Sequence, residues 1–185
     1  MTITIVTVED PHHPDLDRCD GGFWVTETLQ PNVTDGKLGY VVIPIDSPYE
    51  KRYADVDDEN DNDEPSDARF LAYVNGKVAG QLSLSRHWNG FACIDDIVVD
   101  KAFRRFGVGR HLVSLAIEWS RQQGLPGVTL ETQSNNVAAC RLYERCGFVL
   151  KGFDSGLYQG LNPQTSEIAL FWYWQAPDNL SSPNL

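Results

Sequence analysis

The stretch "RRFGVGR" sets Arg104, Arg105 and Arg110 around Phe106, Gly107, Val108 and Gly109, just after the run "IDDIVV". An extended apolar run precedes it and a helically periodic one follows, so it reads as a strand-to-helix turn. A helix start leaves N–H groups unpaired and carries the positive end of the dipole, so anions collect there. Glycines let the backbone approach such an anion in conformations that a side chain forbids. With three guanidinium groups added, the chemistry is that of a diphosphate cradle. The plainer reading is a tight turn whose arginines face solvent.

Other glycine-loop readings fare worse. A dinucleotide fingerprint needs a third glycine where Leu112 stands, and a phosphate-binding Walker loop needs a GK[ST] that is absent. Among common diphosphate carriers that leaves coenzyme A. The acidic run "DVDDENDNDE" fails as a calcium loop, because no register supplies glycine at the sixth position together with glutamate at the twelfth. His12, His13, His87 and His111 are scattered, and no metal is assigned. Cys19, Cys93, Cys140 and Cys146 form no CxxC and read as reduced, mostly buried thiols outside any nucleophile context.

These residues need elements to hold them. "TITIVTV" alternates and predicts an edge or half-buried strand, with further strands at 23–29 and 37–45 joined by a "TDG" turn. "RFLAYVNGKVAGQLSLS" predicts a hairpin about Asn75-Gly76, and 91–99 another strand. Val108, Leu112, Leu115, Ala116 and Trp119 make one helical stripe that Gly124 can close. A strand at 127–133 follows, in which Glu131 faces away from Val128 and Leu130. Asn135 or Asn136 then caps a second helix with the stripe Ala139, Leu142, Tyr143 and Cys146, ended by Gly147. "EIALFWYW" at 167–174 is the last strand. Antiparallel strands followed by strand, helix, strand, helix, strand predict an α/β (α+β) fold around one mixed sheet.

A chain of 185 residues with 42% hydrophobic content supports a single domain, placed at 1–175, with an acidic mobile loop at 55–67 and a frayed tail at 176–185. The net charge of −11 speaks against nucleic acid and for a cationic or amine-bearing small-molecule partner. Neither a long apolar run nor a leader-like start is present, so no membrane partner is expected and the chain reads as cytoplasmic. Self-association into a homodimer stays open. Charge is also segregated: Glu50 to Asp67 carries nine acids and two bases, whereas Lys101 to Lys151 carries eight bases and three acids.

"IDDIVVDKAFRRFGVGRHLV" followed by "LETQSNNVAACRLYERCGF" resembles the GNAT superfamily of acetyl-CoA-dependent N-acetyltransferases. Its R/Q-x-x-G-x-G/A loop matches Arg104, Gly107 and Gly109. Its later N-x-x-A-x-x-L-Y-x-x-x-G-F pattern matches Asn136, Ala139, Leu142, Tyr143, Gly147 and Phe148. "SPYEKRY", the acidic run, "WNGFACIDDIVV", "ETQSNNVAAC" and "FWYW" are similar to the streptothricin acetyltransferases, over residues 20 to 174 or so.

The resemblance implies a GNAT fold, a mostly antiparallel twisted sheet flanked by helices, in which two splayed strands form the acetyl-CoA groove. It implies acetyl-CoA as co-substrate, the β-lysine amine of streptothricin as acceptor, direct transfer in a ternary complex, and antibiotic resistance as the outcome. Other acceptors stay open, among them an aminoglycoside, a polyamine or a protein amine, as does a non-catalytic acetyl-CoA- or drug-binding module. Ile97, Val98 and Val99 would pair with the pantetheine arm, and a backbone N–H there would polarise the acetyl carbonyl. Arg104 to Arg110 would hold the diphosphate, and Asn136 would help, although helix capping explains it equally well. An alkylamine costs on the order of 4 kcal/mol to deprotonate at pH 7, so a base is useful. The resemblance offers Glu131, twelve positions before Tyr143. It makes the Tyr143 phenol the acid for the departing thiolate, where the stripe alone says core. Asp95 and Asp96 compete with Glu131 as base or as amine ligands, with strand alternation allowing only one of them into a given cleft. Tyr49 and Tyr53 offer aromatic faces to an ammonium group or belong to the core. The acidic loop is either a solvated surface or an attractor for a polycation.

Overall fold

The computed structural model describes residues 2–52, 66–160 and 162–177. Most of the 55–67 acidic loop, Tyr53 within the candidate substrate set, and nearly all of the 176–185 tail lie outside the described residues. In chain order the strands are β1 (Ile3–Val8), β2 (Phe23–Thr34), β3 (Lys37–Lys51), β4 (Ala68–Val74), β5 (Lys77–Arg86) and β6 (Ala92–Val99). Helix α1 (Val108–Gln122), β7 (Gly127–Gln133), α2 (Val137–Arg145), β8 (Val149–Asp154) and β9 (Ala169–Gln175) complete it. Two 3-10 turns, Lys101–Phe103 and Leu157–Gly160, punctuate the second half.

Seven strands form the central sheet in the order β1-β4-β5-β6-β7-β9-β8, while β2 and β3 pair separately as a long ribbon. Every pairing in the large sheet is antiparallel except β6 with β7, the pair that α1 connects. A helical crossover between parallel neighbours is what that geometry requires. The Asn75-Gly76 hairpin forms as its sequence predicts, with both residues at positive φ. Gly124 and Gly147 follow the two helices in the left-handed conformation, and the Asn136 side chain caps α2 by accepting from Ala139 N.

The core lies where α1 packs on the even-numbered side chains of β5. Leu112, Val113 and Ala116 pack into one cluster with Leu82, Leu84, Ile94, Val128, Leu130 and Trp172, all essentially buried. A side chain added at Gly80 would point at Val108 and Leu112, which fixes that face of β5 as the α1 side. Each fully buried Leu or Val contributes roughly 1.5–3 kcal/mol, so this cluster anchors the helix whose start forms the candidate cradle. The helical stripes are rotated slightly from their sequence reading: Val113 and Ser120 replace Leu115 and Trp119 among the buried positions of α1, and Val137 and Cys140 join Tyr143 on α2.

Candidate active site

Beside the start of α1, the sheet comes apart. The parallel ladder of β6 and β7 holds for three pairs, Ala92 with Val128, Cys93 with Thr129 and Ile94 with Leu130, and then stops. Beyond that point β6 stays bonded to β5 as far as Val99, and β7 stays bonded to β9 as far as Gln133. Among the described residues, 95–99 therefore have no strand partner on the side facing β7. Unpaired strand edges accept an extended chain, because their N–H and C=O groups are already aligned.

The cause is local. The β5–β6 register places Ser83 opposite Asp96 but Leu84 opposite Ile94, which leaves Asp95 as an extra residue in a β-bulge. A bulge bends its strand and increases the twist. It also corrects the expectation from strand alternation. Ser85 Oγ donates to Asp95 Oδ1 at 2.6 Å and Gln81 Nε2 donates to Asp96 Oδ2 at 2.7 Å. Gln81 and Ser85 share one face of β5, so both carboxyl groups lie on that same face, opposite α1. Desolvation by the surrounding protein raises both carboxyl pKa values from the ordinary aspartate value, against the pull of these hydrogen bonds, with Asp95 exposed and Asp96 half-buried. Gln81 also ties Asp96 to the 9–22 segment, since Nε2 donates to Asp17 Oδ1 at 3.0 Å and Oε1 accepts from Asp17 N at 2.8 Å.

Glu131 points to this face too, with Val128, Leu130 and Thr132 buried on the other. Its Oε1 accepts from the hydroxyl of Tyr158, a residue of the Leu157–Gly160 turn. Its side chain reaches solvent, yet the protein around it raises its pKa by desolvation. Tyr158 and Lys51 pull the value down and Glu167 pushes it up. Cys93 lies on the same face, and burial together with the Asp95 carboxylate pushes its thiol to about 12. The other three cysteines are likewise free and raised, so no cysteine here is a thiolate at neutral pH.

The glycine turn is built as a bare helix start. Asp100 caps the Lys101–Phe103 turn by accepting from Ala102 N at 2.8 Å. Arg105 and Gly107 both take positive φ, 67° and 88°, and Gly107 sits at the N-cap of α1 with no side chain capping it. The first helical bond runs from His111 N to Gly107 O, leaving the amides of Val108, Gly109 and Arg110 without helical partners. A side chain at Gly109 would come within 3.0 Å of Leu142, so the turn is packed directly against the residue preceding Tyr143.

Arg104 departs from its expected part. Its Nη1 donates to Gly22 O at 2.8 Å, Nη2 to Gly21 O at 2.9 Å and Nε to Val99 O at 3.3 Å. The guanidinium is a brace between the turn and the 9–22 segment, not a charged donor at the helix start. Arg105 and Arg110 are exposed and are the cations that remain there, beside the exposed ring of Phe106.

Tyr143 is buried, its ring 5.9 Å from that of Phe148. Tyr49 is half exposed, and its hydroxyl accepts from Asn135 Nδ2 at 2.9 Å. Sequence reasoning missed Tyr158, Glu167, Lys51 and Gln81. Their only signal was polarity next to apolar strand positions. Among the described residues no group of three or more His, Cys, Asp or Glu side chains could hold a metal ion. Two surface pockets are also present, one bounded by Tyr40, Glu144, Phe148 and Trp172, with Phe148 packed on Tyr143, and one by Phe91, Lys151 and Tyr173; the candidate site is a slot between strands.

Alongside this parted parallel strand pair and uncapped glycine helix start, the acetyltransferase (GNAT) family matches residues 39–148, more than half of this chain. The protein belongs to that family and is an acetyl-CoA-dependent N-acetyltransferase. It is 35% identical to streptothricin acetyltransferase A of Bacillus subtilis over 162 residues, covering 87% of this chain and 93% of that one. It is 40% identical to a streptothricin acetyltransferase of Escherichia coli over 128 residues, 69% and 71% of the two chains. A Bacillus anthracis structure described as a streptothricin acetyltransferase, solved with acetyl coenzyme A, superposes with a TM-score of 0.83 at 34% identity, covering 95% of this chain and all of that one. No described helix is long and apolar enough to cross a membrane.

Proposed function

We propose that this enzyme acetylates an amino group of streptothricin, on its β-lysine arm, by direct transfer, and so confers resistance to the antibiotic. The observation that carries the reading is the end of the β6–β7 ladder at Ile94 and Leu130, one residue before Glu131. Likeness to streptothricin acetyltransferases over most of this chain supports the substrate. So does the acidic face on which Asp95, Asp96 and Glu131 gather, which suits a cationic acceptor.

Acetyl-CoA, when bound, supplies an acetyl group activated as a thioester. The chain's residues fit it. The free edge of Ile97, Val98 and Val99 pairs with the pantetheine amides, and an N–H of that stretch stabilises the negative charge developing on the acetyl oxygen. The amides of Val108, Gly109 and Arg110, with the side chains of Arg105 and Arg110, hold the diphosphate. Glu131 takes a proton from the attacking amine, directly or through one water. Tyr143 returns a proton to the departing sulfur. Tyr49 offers its exposed ring to the ammonium groups of the acceptor. A covalent enzyme intermediate on Cys93 is disfavoured, because a thiol held near 12 is a poor nucleophile.

Mass spectrometry of streptothricin incubated with enzyme and acetyl-CoA tests this. The expected product carries one acetyl group, located by fragmentation on the β-lysine arm. An unmodified antibiotic, or an acetyl group elsewhere on the molecule, contradicts it.

A further inference from the structure

The acceptor face holds a charge pair that the transfer itself does not consume. Lys51, the last residue of β3, directs its ammonium to both oxygens of Glu167 at 2.5 Å each, and both side chains are largely withdrawn from solvent. Glu167 also accepts from Asn135 Nδ2 at 2.9 Å, and that nitrogen donates in turn to Tyr49. Asn135 is itself buried and lies in the link between β7 and α2, so the pair is fixed to the end of the strand that carries Glu131.

Asn135 lies two residues beyond the end of β7, so the pair it holds sits near Glu131, where Lys51 favours the ionised carboxylate and Glu167 opposes it, both less strongly than desolvation and Tyr158 act. The groups facing Glu131 are Tyr158 from the Leu157–Gly160 turn, Lys51 from β3, Glu167 from the segment before β9, and the thiol of Cys93 from β6. Among the described residues, Lys51 is the cation of this set. Desolvation disfavours an ionised carboxylate, so a base in this position needs a neighbouring positive charge to stay ready to accept a proton.

We infer that Lys51 is a positioning residue for the acetyl transfer, holding a fixed positive charge beside Glu131 that keeps the base ionised, with Glu167 both anchoring that charge and limiting how much of it Glu131 feels. The inference rests on the assignment of Glu131 as base. It differs from a merely structural tie between β3 and the sheet in one respect. A tie is broken equally from either end, whereas a charge setting responds in opposite directions when its positive or its negative member is removed.

The test is the pH dependence of kcat/KM for streptothricin, at constant ionic strength, for the full-length enzyme and five variants. Lys51→Met is expected to move the rising limb to higher pH, with kcat/KM on the order of tenfold below wild type on the acid side and converging on it at high pH. Glu167→Gln is expected to move the limb to lower pH, because the repulsion is lost and the ammonium remains. The double variant falls between the two, and Lys51→Arg restores the wild-type limb. Shifts of both single variants in the same direction, or no shift in either, overturn the inference; Glu167→Gln keeps the test decisive if Lys51→Met does not fold. Glu131→Gln separates the two levels. Loss of the limb there supports the base, so that a failure of the Lys51 pattern counts against this inference alone, whereas a limb that persists overturns base and inference together.

Discussion

The two sides of the parted strands are built from opposite chemistry. Toward α1 the polar groups are cationic or donors: uncapped amides at 108–110 and the exposed Arg105 and Arg110. On the other face they are acidic: Asp95, Asp96, Glu131 and, beyond them, Glu167. A chain of net charge −11 thus gathers bare amides and guanidinium groups at one side of the parted strands and carboxylates at the other. The donor side is made chiefly by backbone amides, whose placement depends on the positive φ of Gly107. The acceptor side is made by side chains, whose ionisation burial and neighbours tune. Substitutions on the two sides should therefore fail differently.

The largest effect is expected from Glu131→Gln, which removes the proposed base: kcat falls by about 10²–10³-fold while KM for acetyl-CoA stays put. Steady-state kinetics with both substrates varied checks this, and an equal rise in KM for acetyl-CoA would blur the two sides into one. Tyr143→Phe removes the proposed acid and lowers kcat by about 10–10²-fold. The ring is buried against Phe148 and keeps that packing in the variant, so the protein should still unfold in a single cooperative thermal transition.

Gly107→Val strikes the donor side. At φ 88° a β-branched residue is strained by roughly 1–2 kcal/mol, but its Cβ would meet only His111 at an ordinary 3.7 Å, so the fold survives. KM for acetyl-CoA should rise about tenfold, with KM for streptothricin unchanged. An unaltered acetyl-CoA KM would place the cradle elsewhere.

The smallest effect is on stability. Burial raises the Asp96 pKa in the folded state, so the folded protein binds more protons than the unfolded chain between the two values. Stability is lost as pH rises through that window, and at neutral pH the buried carboxylate is a liability. Asp96→Asn keeps an acceptor for Gln81 and should raise Tm at pH 7, by roughly 2–4 °C for each kcal/mol relieved. The gain should vanish in melts run at low pH, and a lower Tm at pH 7 would mean that Asp96 is stabilised as an anion.

What could be read from the chain follows from which interactions are local. The glycine turn, the Asn75-Gly76 hairpin and both helix ends are encoded by backbone freedom within a few residues, and the sequence reading placed them correctly. β8 escaped it because Leu150 is its only buried residue and Val149 and Phe153 face solvent, so no alternation shows. β3 was expected to end near residue 45 but runs to Lys51, since its outer half is paired to β2 rather than buried. That shortening hid Lys51, just as the short turn at 157–160 hid Tyr158. The bulge at Asp95 has no composition signature, and it turned a sound alternation argument into a wrong face assignment. Arg104 looked like a phosphate ligand because the carbonyls of Gly21 and Gly22 that hold it are some eighty residues away in sequence.

A crystal structure of the enzyme with acetyl-CoA bound tests the account most directly. The account predicts the diphosphate against the amides of Val108, Gly109 and Arg110, with the pantetheine arm bonded along the free edge of residues 95–99. A cofactor lying on the acidic face, or with its phosphates away from the start of α1, would contradict it.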